Sequence, residues 1–398
     1  MFFFFFGTQY YIVWLIHEGH FPTCHYLLHR HSIADMGGTN CEAEAPLRNR
    51  AEVTEVMRKL GLGLIPDEEL RSLISVQVER RLRWGYKPTF EQQLAQLVQF
   101  AHSLKQMPIS LEAEVLESQV YEIPNSFMKL LHGSSMKASW CFFINDSTTL
   151  DEAEIAMLEL YCDRSQIRDG DRVLDLGCGF GALATYIARK YPNCQVTGVT
   201  NSEFQKEFIE EQCKKDNLVN VEVILADVTT HEMDKEFDRV MAIGVIEHMK
   251  SYELLLKKIS KWMKQDGLLF VDHICHKAFA YHFEPIGEDD WIEEYIFPGG
   301  VMTIPSADLL LYFQDDISVV NHWAVNGKHY SRTNEEWLKR LDGNADAARA
   351  ILEDSLGSKE EAMKMLNYWR TFCLYGMELC KYNNGEEWMS AHVLFKKK

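Results

Sequence analysis

The sequence feature that most constrains the fold is the segment Val173-Leu-Asp-Leu-Gly-Cys-Gly-Phe-Gly181, which leads from a strand-like apolar run into a helical pattern over 182–191. Glycines at this spacing let the backbone approach a ligand where a side chain would collide with it. A strand, a glycine turn and a helix in this order are typical of nucleotide-binding α/β folds. The segment therefore predicts an α/β domain with a cofactor site at this turn.

The glycine spacing also indicates which cofactor binds there. A dinucleotide fingerprint reads G-x-G-x-x-G and directs a helix N-terminus at a pyrophosphate. Here the spacing is G-x-G-x-G, and Asp175 precedes the first glycine. S-adenosylmethionine has no phosphate, but it has an ammonium group that an aspartate can hold. We therefore predict S-adenosylmethionine at Asp175, Gly177 and Gly179. An Asp175 that only caps the turn is the alternative, and a nicotinamide oxidoreductase fits less well.

Short apolar runs alternate with helical patterns after residue 171, which predicts a mostly parallel sheet with right-handed crossovers and helices on both faces. The predicted strands cover 173–176, 195–200, 221–225, 237–243 and 268–272. One connecting helix is predicted at 252–264. A long insertion, 279–313, follows the fifth strand, and a strand at 317–325, a helix at 359–381 and a strand at 390–395 complete the pattern.

Three amphipathic helices are predicted before the sheet. The second has apolar residues at helical spacing: Leu70, Leu73, Ile74, Val78 and Leu82. Thr89 and Gln92 predict a capping box for the third. Because these helices contain no catalytic constellation, we interpret 46–150 as a helical cap and 151–398 as the catalytic domain.

Composition restricts the partners of the chain. The 41 Lys and Arg residues against 59 Asp and Glu give a net charge of −18, and there is no basic run beyond 396–398, so we expect no nucleic-acid partner. The ten cysteines contain no C-x-x-C pair, which predicts a reduced, cytoplasmic chain without a metal. The apolar start, 1–16, is too short to span a bilayer, and a cleaved signal peptide is an alternative, although the segment lacks a charged n-region. We interpret 1–45 as an extension outside the fold, with Met36 as an alternative start.

Polar residues follow the second and third predicted strands. Asp227 ends the third strand, where a carboxylate can accept a hydrogen bond from an adenine amino group; an ordinary strand-end aspartate is the alternative. After the second strand, Asn201 stands where many methyltransferases place an acid for the ribose hydroxyls. Ser202 and Gln205 fit a capping box, so Gln205 is either a cofactor contact or a structural residue.

Several sequence blocks occur together in one order. They are Asn201-Ser-x-x-Gln205-Lys206, Ile246-Glu-His-Met-Lys250, His273-Ile-Cys-His-Lys277, Tyr312-Phe-Gln-Asp-Asp316, Ser331-Arg-Thr-Asn-Glu-Glu-Trp337 and Tyr382-Asn-Asn-Gly-Glu-Glu-Trp388. From about Ala51 to Lys398 the chain resembles the plant coclaurine N-methyltransferase family, which is related to cyclopropane-fatty-acid synthases. The resemblance implies a class I S-adenosylmethionine methyltransferase fold.

The resemblance also implies a reaction and a set of site residues. The reaction is methyl transfer to an amine nitrogen of a small benzylisoquinoline or phenylalkylamine in plant alkaloid biosynthesis. The implied cofactor contacts are Ser139, Gly177, Asn201, Gln205, Asp227 and Ile243. Glu247 and His248 match the catalytic pair. Aromatic residues of the amine pocket match Tyr121, Trp369 and Phe372. No metal is implied, and a homodimer remains open.

The Glu-His pair has a chemical rationale. An alkylamine is almost wholly protonated at neutral pH, and freeing its lone pair across roughly 3 pKa units costs about 4 kcal/mol. His248 follows the fourth predicted strand and has a suitable intrinsic pKa to act as the base. Glu247 would orient the imidazole or bind the ammonium form. An isolated Glu-His dipeptide would instead indicate a helix start and a surface histidine.

One position departs from the family pattern. Members commonly carry a glutamate three residues before the Glu-His pair, where this chain has Gly244. We expect a changed amine preference, such as a smaller or differently placed amine. Two rival interpretations remain. One is a cyclopropane-fatty-acid-type lipid enzyme, in which Glu247 and His273 would hold a bicarbonate base. The other is a cofactor-binding protein without catalytic activity.

Overall fold

The protein is described by a computed structural model that covers residues 50–110, 123–297, 300 and 302–398. Its strands are β1 Arg172–Leu176, β2 Gln195–Thr200, β3 Val221–Leu225, β4 Phe237–Ile243, β5 Met263–His276, β6 Tyr281–His282, β7 Thr303–Ile304, β8 Ile317–Val325 and β9 Trp388–Lys397. Seven of them form a sheet in the order β3-β2-β1-β4-β5-β9-β8. The strands from β3 to β5 are parallel, and β9 is antiparallel to both of its neighbours. This confirms the predicted mostly parallel sheet.

Helices surround this sheet and form the cap. They are α1 Arg50–Gly61, α2 Asp67–Gly85, α3 Phe90–Leu104, α4 Asn125–Leu131, α5 Leu150–Arg164, α6 Ala182–Lys190, α7 Glu203–Lys215, α8 Tyr252–Trp262, α9 Ile292–Ile296, α10 Lys328–Gly343, α11 Ala345–Leu356 and α12 Lys359–Lys381. Strands β1, β2 and β4 are mostly buried along their lengths, as expected for parallel strands covered by helices on both faces.

The start of β5 differs from the sequence prediction. Helix α8 ends at Trp262 and the strand begins at once, because Met263 pairs with Phe237 of β4 before the register shifts. Gly267 lies in this irregular stretch. A Cβ there would come within 2.9 Å of the Lys264 carbonyl oxygen and 3.0 Å of the Phe237 carbonyl oxygen. A long-range strand pairing therefore replaces the last two predicted residues of the helix, 263–264.

The cap is joined to the catalytic region by apolar and charged contacts. Helices α1 and α2 both pack on α12, and their buried residues share one hydrophobic cluster with the sheet. Arg81 of α2 donates a 2.7 Å hydrogen bond to Glu293 in the insertion. At the start of α3, Thr89 accepts a hydrogen bond from the Gln92 backbone N–H, which is one half of the predicted capping box. Residues 1–45 lie outside the described residues, and the 150/151 domain boundary stays a prediction.

The topology positions the site. Carboxyl ends of parallel strands meet at one edge of a sheet, and ligands of open α/β folds bind there. The glycine turn follows β1 at this edge, and the Glu-His pair lies in a short 3-10 helix, Ile246–His248, just after β4. His273 lies near the end of the neighbouring strand β5.

Candidate active site

A cavity of ≈ 320 Å³ lies at the carboxyl edge of the sheet. It brings together most of the residues that the sequence singled out: Ser139, Asp175, Gly177, Gly179, Gln205, Ile243, Gly244, Glu247, His248, Trp369 and Phe372. Tyr121 lies outside the described residues. Residues separated by more than 200 positions in sequence therefore line one cavity.

The glycine turn forms one wall of the cavity through left-handed backbone. Gly177 and Gly179 have φ values of 62° and 53°, a region that favours glycine. A Cβ on Gly177 would come within 2.9 Å of a Val245 methyl carbon, whereas a Cβ on Gly179 would meet no atom within 4 Å. Gly177 is thus required for internal packing, and Gly179 leaves the backbone open to a ligand.

Asp175 presents an unused carboxylate oxygen to this wall. The residue is buried, and the Ala184 backbone N–H donates to its carboxylate. Its Oδ2 atom has no hydrogen-bond partner among the described residues. Burial raises the pKa of Asp175 to about 7, against the opposing effects of that hydrogen bond and of Lys137. Since a buried carboxylate with one unpaired oxygen and no ion-pair partner among the described residues is costly, the site fits a cationic ligand group.

The three residues expected at the adenosine differ in their positions. The Gln205 side chain lines the cavity and accepts a 2.6 Å hydrogen bond from Thr200 Oγ1, while its backbone N–H caps onto Ser202. Asn201 is exposed, and Asp227 accepts hydrogen bonds from Thr229 Oγ1 and its backbone N–H at 2.8 and 2.7 Å. Asn201 and Asp227 are not among the described residues that line the cavity. Their cofactor roles stay predictions.

Glu247 is the second carboxylate in the cavity. It is buried, and its Oε1 atom accepts a 2.9 Å hydrogen bond from the Ile274 backbone N–H, while Oε2 has no partner among the described residues. Burial raises the pKa of Glu247 to about 8, with a smaller contribution from the charge of Asp272. Glu247 thus keeps one buried oxygen without a partner, and its raised pKa favours the neutral carboxyl group until a cation lies beside it.

Two histidines add ring nitrogens to the same cavity. Burial lowers the pKa of His248 to about 4, and the charge of Lys250 lowers it further. Burial also lowers the pKa of His273 to about 4. His273 Nδ1 lies 2.9 Å from the Ile274 carbonyl oxygen, which can only accept, so Nδ1 carries the proton and Nε2 is left as an unpartnered acceptor. His248 Nδ1 also lacks a partner among the described residues.

Gly244 leaves space beside the Glu-His pair. Its φ value is 64°, and a Cβ built there would meet no atom within 4 Å. Its backbone N–H donates to the Asp272 carbonyl oxygen at 2.9 Å. A larger side chain at this position therefore has room in the cavity but must adopt a left-handed backbone conformation.

An aromatic wall faces these polar groups. Trp369 and Phe372 of α12 contact each other with ring centroids 5.6 Å apart, and Phe297 of the insertion packs edge-on against Phe372 at 6.1 Å. Tyr368 and Phe283 also line the cavity. Ring faces bind both aromatic groups and cations, so this wall suits an aromatic amine.

The Glu-His segment is fixed to the insertion by Lys250. This buried side chain donates hydrogen bonds to the Gly300 carbonyl oxygen at 2.8 Å and to Thr303 Oγ1 at 3.1 Å. It also lies 3.3 Å from His282 Nδ1. No role was predicted for Lys250 from the sequence, although a lysine two residues after the Glu-His pair is a signal that the sequence contains.

Lys137 is a second residue that the sequence analysis missed. It is buried and lines the cavity two positions before Ser139, whose Oγ atom accepts a hydrogen bond from Lys137 Nζ. Tyr161 and Asp272 lie beside it and also line the cavity. Its position in an irregular segment gave no periodic pattern from which burial could be predicted.

Comparisons with known proteins agree with this geometry. The family described as mycolic acid cyclopropane synthetase matches residues 111–375. The (S)-coclaurine N-methyltransferase of Thalictrum flavum subsp. glaucum is 62% identical over 350 residues, which cover 88% of this chain and 97% of that protein. The chain belongs to the coclaurine N-methyltransferase family. The pavine N-methyltransferase of the same plant is 53% identical over 355 residues, covering 89% of this chain and 100% of its relative.

A solved structure of the coclaurine N-methyltransferase family supports the fold and the cofactor. The crystal structure of coclaurine N-methyltransferase bound to N-methylheliamine and S-adenosylhomocysteine matches with a TM-score of 0.84 and 58% identity, covering 88% of this chain and 100% of that one. The chain is thus an S-adenosylmethionine-dependent N-methyltransferase with the class I fold, as the sequence predicted. No helix among the described residues has the length and apolar character needed to cross a bilayer.

Proposed function

We propose that this enzyme N-methylates a small aromatic amine of the benzylisoquinoline or phenylalkylamine type in plant alkaloid biosynthesis. The observation that carries the proposal is the cavity whose lining combines Asp175 and Glu247, each with a buried carboxylate oxygen that has no partner among the described residues, and the aromatic rings of Trp369 and Phe372. The identity of 62% to an (S)-coclaurine N-methyltransferase and of 53% to a pavine N-methyltransferase supports the substrate class.

In this proposal the cofactor occupies the glycine side of the cavity. Asp175 Oδ2 accepts hydrogen bonds from the ammonium group of its methionine end, and Gly179 lets the backbone lie against it. Ser139 and Ile243 line the same space. Gln205, with Asn201 and Asp227 beyond the cavity, contacts the adenosine. The bound cofactor supplies an electrophilic methyl group on a positively charged sulfur.

The acceptor amine lies between the Glu-His pair and the aromatic wall. Methyl transfer needs a free lone pair on nitrogen, so a proton must leave the ammonium form of the substrate first. Trp369 and Phe372 hold the aromatic part of the substrate and exclude water. A cation beside Glu247 favours the ionised form of its carboxyl group, which lets Oε2 accept a hydrogen bond from the substrate nitrogen.

The pKa values of Glu247 and His248 indicate different roles for the two residues. Moving a proton from an alkylammonium, with a pKa near that of lysine, to Glu247 at about 8 is uphill by roughly 2 pKa units, or about 3 kcal/mol. The same transfer to His248 at about 4 is uphill by roughly 6 units, or about 8 kcal/mol. From the sequence, His248 was predicted to be the base that accepts the proton of the amine. We now infer that Glu247 accepts the proton and that neutral His248 accepts a hydrogen bond and orients the amine.

One experiment tests the substrate class. The purified enzyme is incubated with S-adenosylmethionine labelled in its methyl group and with a panel of primary, secondary and tertiary aromatic amines, and product masses are measured. Label is expected on the nitrogen of benzylisoquinolines or phenylalkylamines. Phospholipid vesicles with unsaturated chains are assayed in parallel, because Glu247 and His273 would also suit the bicarbonate of a lipid-modifying relative. Label in lipid and none in amines would reject the proposal.

We also infer a cytoplasmic location. The cysteines among the described residues are free and buried, which fits a reducing compartment. A homodimer stays a prediction, which sedimentation of the purified chain would test.

A further inference from the structure

A buried lysine with no ionic partner lines the cofactor side of the cavity. Lys137 Nζ donates to Ser139 Oγ and, at 3.3 Å, to the Tyr161 hydroxyl. A lysine ammonium has three N–H donors, and both of these partners are uncharged. Within the described part of the chain, no carboxylate oxygen lies within ion-pair distance, 4.0 Å, of Lys137 Nζ.

Two neighbouring carboxylates already accept hydrogen bonds from other groups. Asp272 accepts hydrogen bonds from Tyr161 and Ser390, and Glu154 accepts them from the backbone N–H groups of Gly133 and Ser135. Burial lowers the pKa of Lys137, although the charges of Asp272, Glu154 and Asp175 oppose that shift. An ammonium that is buried in this way is costly unless an anion pairs with it.

The third neighbouring carboxylate, Asp175, carries the charge opposite to that of Lys137. It lines the same cavity and leaves Oδ2 without a partner. Among the described residues, Lys137 and Asp175 therefore give the cofactor side of the cavity a cation without an ion-pair partner and a carboxylate oxygen without a hydrogen-bond partner, near enough for their charges to interact. The methionine end of S-adenosylmethionine is a zwitterion with an ammonium and a carboxylate on the same carbon, which matches this pair of opposite charges.

We propose that Lys137 Nζ and Ser139 Oγ bind the carboxylate group of the cofactor while Asp175 binds its ammonium group. Lys137 donates its third N–H to one carboxylate oxygen. Ser139 accepts from Lys137 and its hydroxyl hydrogen bonds to Tyr161, so in this proposal the hydroxyl turns from Tyr161 to the other carboxylate oxygen when the cofactor binds. The inference rests on the proposed placement of the cofactor against Asp175. The experiment below distinguishes a failure of that placement from a failure of the role assigned to Lys137.

The test measures binding, without catalysis, by calorimetry on the full-length protein. Three ligands are compared: S-adenosylhomocysteine, its analogue without the carboxylate group, and 5′-methylthioadenosine, which lacks the whole amino-acid end. For Lys137→Met, the Kd of S-adenosylhomocysteine should rise about 10- to 100-fold, the usual loss for a charge-assisted hydrogen bond. The Kd of the decarboxylated analogue should stay the same or fall, because Lys137 repels its ammonium group.

The ligand set supplies its own controls. An unchanged Kd of 5′-methylthioadenosine shows that the variant is folded, and Lys137→Gln is tested in the same way if Lys137→Met does not fold. Equal losses for S-adenosylhomocysteine and its decarboxylated analogue would overturn the assignment of Lys137 to the carboxylate. For Asp175→Asn, both amine-bearing ligands should bind more weakly. A normal Kd there would instead refute the placement on which the proposal rests.

Discussion

The carboxyl group of Asp175 is expected to make the cofactor-free enzyme less stable as pH rises. Its pKa is raised from 3.8 to about 7 in the folded protein because it is buried. Between these values the unfolded chain releases a proton that the folded chain keeps, so the stability that this group contributes falls with increasing pH. Roughly 3 pKa units correspond to about 4 kcal/mol, lost in full above pH 7.

Asp175→Asn isolates this effect because asparagine does not titrate. Urea unfolding of the cofactor-free wild type and variant is measured at pH 5.5 and pH 8.5. The interval from pH 5.5 to the pKa of Asp175 in the folded protein is roughly 1.5 units. Between pH 5.5 and pH 8.5 the free energy of unfolding of the variant should therefore increase by about 2 kcal/mol relative to that of the wild type. The new amide shifts the two curves by a constant amount, and only the change of their difference with pH tests the reasoning.

Parallel curves would refute the reasoning, since they would mean that Asp175 titrates alike in the folded and unfolded chains. S-adenosylhomocysteine supplies a second check. Because the proposed partner of the carboxylate is the ammonium group of the ligand, saturating ligand should stabilise the wild type at pH 8.5 more than it stabilises the variant.

Three further outcomes follow from the acceptor side of the cavity. Glu247→Gln should lower kcat by about 100-fold or more, with little change in the Kd of S-adenosylhomocysteine. In the wild type kcat/KM should rise with pH through about 8. The same pH dependence of kcat/KM in the variant would exclude Glu247 as the base. His248→Ala should lower turnover far more than cofactor affinity, and an unchanged rate would remove His248 from the mechanism. Gly244→Glu should change the order of preference in an amine panel at a stability cost of about 1–2 kcal/mol for its left-handed backbone, and an identical order would reject a role in specificity.

Much of the sheet could be predicted because its strands are short apolar runs bounded by turns. The strands at 195–200, 221–225, 237–243 and 317–325 are observed as predicted. Those at 195–200 and 237–243 are mostly buried, whereas those at 221–225 and 317–325 are partly exposed. The beginning of β5 could not be predicted in this way. It depends on pairing between Met263 and Phe237, which no local pattern records.

The site also contains residues that local sequence patterns place and residues that only tertiary contacts place. The glycine turn and the Glu-His pair directly follow strands, so their places at the sheet edge could be predicted. Whether a strand-end residue faces the cavity depends on side-chain direction, and Asp227 bonds its own turn at Thr229. Lys137 lies in an irregular segment and is buried by packing against Tyr161, which is a tertiary effect.

The two walls of the cavity come from different parts of the chain. The residues proposed for the methyl donor fall between Lys137 and Ile243, whereas the aromatic residues of the insertion and of α12 that line the cavity fall between Phe283 and Tyr375. After a gene duplication, mutations in the later region would alter which amine is accepted without disturbing the donor. The order of the residues along the chain therefore lets the aromatic part of the amine site change separately from the donor site.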